Sequence, residues 1–188
     1  MKNQIIFTAL TLGAIILGTN SVKAQDVKTP ADQSATTVAS IELADVISIN
    51  AGSTAVGGAV NFAYKTVEDY TADQAVDKVG SLNVTSTKEF DITVKANTPT
   101  FKGSTDDIDL NVLTIKPVTA AKNPMKGAAT DVILSTDDQK VISGAALGSE
   151  LMLDIQYFIP AAISKSPQIL GKPAGTYTTT VTYTATTL

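Results

Sequence analysis

The stretch Phe90-Asp91-Ile92-Thr93-Val94-Lys95-Ala96 decides the fold class. Apolar Phe90, Ile92, Val94 and Ala96 alternate with polar Asp91, Thr93 and Lys95. Successive side chains of an extended chain point to opposite faces, so this spacing predicts a strand with one buried face. The same period recurs outward from it. Residues 151–159 set Leu151, Leu153, Ile155, Tyr157 and Ile159 against Met152, Asp154, Gln156 and Phe158. Residues 38–49 place Ile41, Leu43, Ile47 and Ile49 on one face; 59–64 place Val60, Phe62 and Tyr64; 82–86 place Leu82 and Val84. Residues 109–116 and 130–134 are more uniformly apolar and suit buried strands, and 176–188 close the chain. Gly and Pro punctuate the joints, among them Gly80, Gly103, Pro117, Pro124, Gly127, Gly144, Gly148 and Pro160. One segment reads differently. Thr71 and Gln74 have capping-box spacing and Gly80 offers a stop, which predicts one or two helical turns over 71–79. The expected fold is an all-β, immunoglobulin-like antiparallel β-sandwich of about seven to nine strands with one short helix. It occupies residues 37–188 as a single domain.

The N-terminus reads as an export signal. Lys2 precedes the uncharged apolar run 5–17, and Val22-Lys23-Ala24 puts small residues where a signal peptidase reads. The run is shorter than the roughly 20 apolar residues that a spanning helix needs. Cleavage after Ala24 leaves a polar tail, 25–36, ahead of the domain. It also removes Lys2 and Lys23, leaving 12 lysines against 18 acids, a net charge of −6. The expected location is outside the cytoplasm: periplasm, cell surface or medium, with no membrane span after cleavage.

Composition narrows the chemistry. The chain has no Cys, His or Trp, and all 14 basic residues are Lys. Disulfides, thiolate or imidazole metal sites and Ser-His or Cys-His nucleophiles are excluded. The acidic balance argues against a nucleic-acid partner. No cofactor, metal or catalytic residue is expected, and the chain reads as a non-enzyme. Asp107-x-Asp109-x-Asn111 has the first ligand spacing of a calcium loop, but Val112 stands where Gly is required and Val118 where the closing Glu belongs. Solvated turn acids explain it better. Asn83-Val84-Thr85 matches a glycosylation pattern inside a predicted strand, where chance is the better account. Thr176, Thr178, Thr180, Thr182, Thr184 and Thr186 would line one strand face. Ice-binding surfaces use such arrays, but Thr also simply suits an exposed strand, being β-branched and polar.

Pro173-Ala174-Gly175-Thr176-Tyr177, followed by Thr180-Val181-Thr182-Tyr183, resembles the closing strand of chaperone–usher fimbrial subunits, of the spore-coat-U-like and colonisation-factor types. Gly175 stands fourteen positions from the C-terminus, as in that family. The chain departs from the family at Thr187, where an aromatic is common, and in lacking a disulfide. It also looks like small exported β-proteins of Bacteroidota of unassigned function. The fimbrial resemblance implies an incomplete sandwich whose missing strand comes from the N-terminal extension of the next subunit. Gly175, Tyr177, Val181 and Tyr183 would form the assembly strand. Ile41, Leu43, Ile47 and Ile49 would belong to the donor or to the domain's own first strand. Partners would be further copies, other surface subunits or a periplasmic chaperone. The alternative is a self-contained secreted sandwich that binds a glycan or cell-wall ligand.

Overall fold

In the computed structural model, which describes residues 39–49 and 58–188, the alternating stretch Phe90–Ala96 is a strand with its apolar residues buried. In chain order the strands are β1 (Ile47–Ile49), β2 (Gln74–Ser86), β3 (Phe90–Ala96), β4 (Thr100–Lys102), β5 (Asp107–Asp109), β6 (Thr114–Thr119), β7 (Ala128–Ala129), β8 (Val132–Ile133), β9 (Gln139–Ala145), β10 (Gly148–Ile159) and β11 (Val181–Thr187). A 3-10 turn, Leu110–Val112, precedes β6, and a single-turn helix, α1 (Ala161–Ser164), follows β10. The predicted signal and polar tail lie outside the described residues.

Two antiparallel sheets share one core. The first has the order β1-β2-β10-β6-β8, the second β11-β3-β9-β7, and β4-β5 form a separate ribbon. Leu82, Val84, Ile115, Leu153 and Ile155 from the first sheet meet Phe90, Ile92, Val94, Val141 and Ile142 from the second. The hydroxyls of Tyr157 (β10) and Tyr183 (β11) bond across the layers at 2.9 Å. The fold is therefore all-β and sandwich-like. Its order β1-β2-β10-β6 matches strands A-B-E-D of a constant-type immunoglobulin sandwich, and β3-β11 matches C-F. That plan puts a last strand beyond β11. Among the described residues, none lies there.

Several expectations are corrected. Residues 71–79 are not helical. The carbonyl of Glu68 takes the N–H groups of Thr71 and Ala72 in a turn, and the chain enters β2 at Gln74. Val76 then stands opposite Tyr157 and Lys78 opposite Ile155, so sheet pairing overrides the capping spacing. Gly80 is no helix stop. It has φ +60° inside β2, where the pairing with β10 shifts register. The run 109–116 is split by the 3-10 turn, which buries Leu110 and Val112. Strands number eleven among the described residues, more than expected. Several have only two or three residues, and β9 lacks alternation because adjacent Val141 and Ile142 are both buried. Residues 59–64 alternate in burial as expected, with Val60, Phe62 and Tyr64 inward, yet form no strand. Of the apolar set in 38–49, only Ile47 and Ile49 lie in a strand. Ile41 and Leu43 are 87% and 88% exposed.

Candidate functional site

The outermost strand of the second sheet, β11, is seven residues long, Val181-Thr182-Tyr183-Thr184-Ala185-Thr186-Thr187. Its register with β3 is unbroken, from Val181 opposite Ala96 to Thr187 opposite Phe90. Two flanking bonds fix the phase of that ladder: Asn97 donates its N–H to Thr180, and Leu188 donates to Glu89. In an antiparallel pair, residues whose main-chain groups bond the neighbour alternate with residues whose groups point away. Thr180, Thr182, Thr184, Thr186 and Leu188 therefore bond toward β3. The N–H and C=O groups of Val181, Tyr183, Ala185 and Thr187 face the other edge, which is free among the described residues.

Proteins usually blunt such an edge with Lys, Pro, a bulge or very short length. The other three sheet edges, β1, β7 and β8, have three residues or two. By contrast β11 is long, regular and free of charge and proline. The residues whose main chain faces outward along the edge include Val181, Tyr183 and Ala185, whose side chains pack against the core. Ile47 and Ile49 of β1 pack on the same core, and β1 lies beside β11. Burial raises the Tyr183 phenol above its ordinary value, and the neighbouring Tyr157 adds to the effect. Burial likewise raises Tyr157.

The approach to β11 is pinned. Tyr177 donates its hydroxyl to the carbonyl of Pro173 at 2.7 Å, four residues back, as in the tyrosine corner of immunoglobulin-type sandwiches. Its ring lies against Gly103, where a Cβ would stand 2.5 Å from it. Thr178 exchanges both main-chain bonds with Lys102 of β4. Tyr177 thus holds the corner, whereas Val181 and Tyr183 stand at the edge itself. Gly175 lies in an exposed bend, outside the left-handed region and with open space where a side chain would go.

At the opposite end of β11 the N-terminal segment is anchored. Val46 accepts the N–H of Thr87 at 2.9 Å and donates its own to the Thr87 hydroxyl at 2.9 Å. Asp45 pairs with Lys88. Leu188 is held by Glu89, two residues further along the same β2–β3 turn. Val46 and the end of β11 therefore meet at one end of the sandwich. Nothing in the sequence pattern marks Thr87 and Lys88 as the anchor, because the pairing joins residues 41 apart.

The remaining candidates are placed as follows. Asp107 is bonded first by Lys102 and then by the Thr100 hydroxyl, and Asp106 by Lys172 and the Asp107 N–H; both carboxyls lie below their ordinary value. Lys102 thus occupies Asp107, the first acid of the calcium-like spacing, and Lys172 the preceding Asp106. Of the six threonines, only Thr182, Thr184 and Thr186 lie in a strand, opposite Lys95, Thr93 and Asp91, so charged groups interrupt any flat hydroxyl array. Asn83 is half-buried within β2, opposite Met152. An open groove of roughly 250 Å³, lined by Pro99, Asp109, Leu110 and Ser135 among others, carries a single carboxylate. Among the described residues no helix is long and apolar enough to cross a membrane. No protein-family model matches the chain, and no curated protein is similar to it.

Proposed function

We propose that this chain is a non-enzymatic, exported surface or fimbria-like structural subunit that assembles by strand addition at β11. The observation that carries the reading is the free edge itself: seven regular, uncharged residues whose inward side chains reach the core. An added strand gains main-chain bonds worth about 0.5–1.5 kcal/mol each. Each apolar side chain that it buries adds about 1.5–3 kcal/mol. The donor is residues 39–44 of a neighbouring copy, where exposed Ile41 and Leu43 have the spacing of alternate strand positions. A chaperone of the export compartment would cap the same edge before assembly.

Geometry favours a second copy as the donor. The segment reaches the domain at the end where β11 finishes, so folded onto its own β11 it would run parallel. Antiparallel addition is the better-bonded arrangement and needs another molecule. Repeated, that contact is head-to-tail, and it builds a filament wherever its rotation does not close a ring. Size analysis and electron microscopy of the purified protein test this. Filaments or ladders of oligomers are expected, and the double variant Ile41→Asp/Leu43→Asp should abolish them without lowering stability. A wild-type protein that stays monomeric at high concentration would overturn the reading.

A further inference from the structure

Antiparallel sheets that cover a core on one side usually turn polar residues to the other. The second sheet follows that rule on its outer face, with Thr182 beside Lys95 and Thr184 beside Thr93. The first sheet departs from it. Phe158 of β10 stands between Ala75 of β2 and Thr114 of β6, with Ile133 of β8 beyond. These positions alternate with buried Tyr157, Ile115 and Val132, so they point away from the core. Val118 lies on the same face opposite Asp154, and Val79 follows Lys78, which stands opposite buried Ile155. Val79, Ile133 and Val118 are 78%, 57% and 45% exposed.

The charges on this face are sorted by strand. Asp77 of β2, Gln156 of β10 and Lys116 of β6 form one row. Gln156 donates its side-chain amide to the Asp77 carboxylate at 2.8 Å. The Lys116 ammonium lies over the Phe158 ring, 3.7 Å from its centre. Among the described residues neither Asp77 nor Lys116 forms an ion pair. Asp154 turns its carboxylate toward β2, onto the Gly80 N–H. Acid therefore lies on the β2 side of β10 and the cation on the β6 side.

We propose that this face is a contact between two copies of the chain, related by a two-fold axis that runs along β10 in the plane of contact. Such an axis lays β2 of one copy over β6 of the other, as aligned sheets pack. Asp77 then meets the second copy's Lys116, once on each side of the axis. Phe158 meets Phe158, and Val79 comes near Val118. The two Asp154 carboxylates lean apart, each toward the other copy's β6. An axis across the strands would instead set Lys116 on Lys116 and Asp77 on Asp77, so the charges select the first arrangement. This contact is isologous and closes on itself, unlike strand addition at β11. It would pair two filaments side by side.

Sedimentation equilibrium tests this on the purified protein carrying Ile41→Asp/Leu43→Asp, which keeps the contact separate from strand addition. A dimer is expected at high concentration. Asp77→Lys and Lys116→Asp should each weaken it by at least about tenfold, through two like-charge contacts per dimer. An equimolar mixture of the two variants should restore it, because each reversed charge then meets its opposite. A protein that stays monomeric at every concentration would overturn the second copy as occupant of this face. A dimer indifferent to both reversals, or two weakened variants whose mixture stays monomeric, would overturn the two-fold arrangement.

Discussion

The carboxylate of Asp91 on β3 accepts the main-chain N–H of Gly144 on β9 at 2.9 Å. The other sheet repeats the device: Asp154 on β10 accepts the N–H of Gly80 on β2 at 2.6 Å. Both glycines have positive φ, +62° and +60°, and both sit where the strand pairing shifts register. A carboxylate thus satisfies the N–H that each bulge takes out of its ladder. Asp91 is only 6% exposed although alternation sends it outward, because Lys140 covers it at 2.6 Å.

Asp91 should control part of the acid stability. Its bond from Lys140, and then that from Gly144, hold the carboxyl below its ordinary value. A lowered folded value means that the contribution is complete above the unfolded pKa of about 4 and is lost as pH falls through the folded one. Asp91→Ala should cost about 1–3 kcal/mol at neutral pH by leaving the Gly144 N–H unmet. Asp91→Asn should flatten the acid limb of a melting-temperature profile. An unchanged acid limb in Asp91→Asn would remove Asp91 from this role.

The bulge glycines should be sensitive to alanine for backbone reasons alone. A Cβ at Gly80 or Gly144 meets nothing within 4 Å, so only the left-handed conformation opposes it. Each substitution should cost about 1–2 kcal/mol in denaturant unfolding. Gly175→Ala, at a bend with neither constraint, should stay within about 0.5 kcal/mol of wild type.

Tyr157 and Tyr183 should make the fold alkali-sensitive. Their phenols are raised in the folded state, chiefly by burial, so stability is complete below the unfolded value of about 10. It should decline as pH rises beyond that value, because the unfolded chain ionises first. Tyr183→Phe should cost about 0.5–1.5 kcal/mol at neutral pH and move alkaline unfolding to higher pH. Ultraviolet titration of the two proteins reads the difference.

The phase of the β11 ladder gives a paired proline test. Ala185 directs its N–H to the free edge, whereas Thr184 directs its N–H to Thr93 of β3. Ala185→Pro should leave the monomer folded and block filament formation. Thr184→Pro should destabilise the monomer itself by about 1–3 kcal/mol through a lost ladder bond. Denaturant unfolding of both variants reads the difference, and equal destabilisation would mean that Ala185 does not face a free edge.

The strands legible in the sequence were those with one face buried along their whole length, such as 90–96 and 151–159. Residues 71–79 misled because their capping spacing is local, while the pairing of β2 with β10 joins positions about 80 apart, such as Val76 and Tyr157. Strand β9 was hidden by consecutive buried Val141 and Ile142 beside a bulge. For the site, Val181 and Tyr183 were legible as a core-facing row. The role of Tyr177 at a corner was not, since its ring is placed by the distant Gly103.

Sequence alone determined the all-β class and the inward-facing residues, because alternation is a local property of an extended backbone. Composition alone excluded thiol, imidazole and disulfide chemistry. Only the tertiary structure decided which strand lies at an edge. Edge status depends on how strands are ordered within a sheet, and that order is set by contacts between residues far apart in the chain. Among the described residues it left β11 with one unpaired side, and Ile41 and Leu43 exposed ahead of a first strand of Ile47–Ile49.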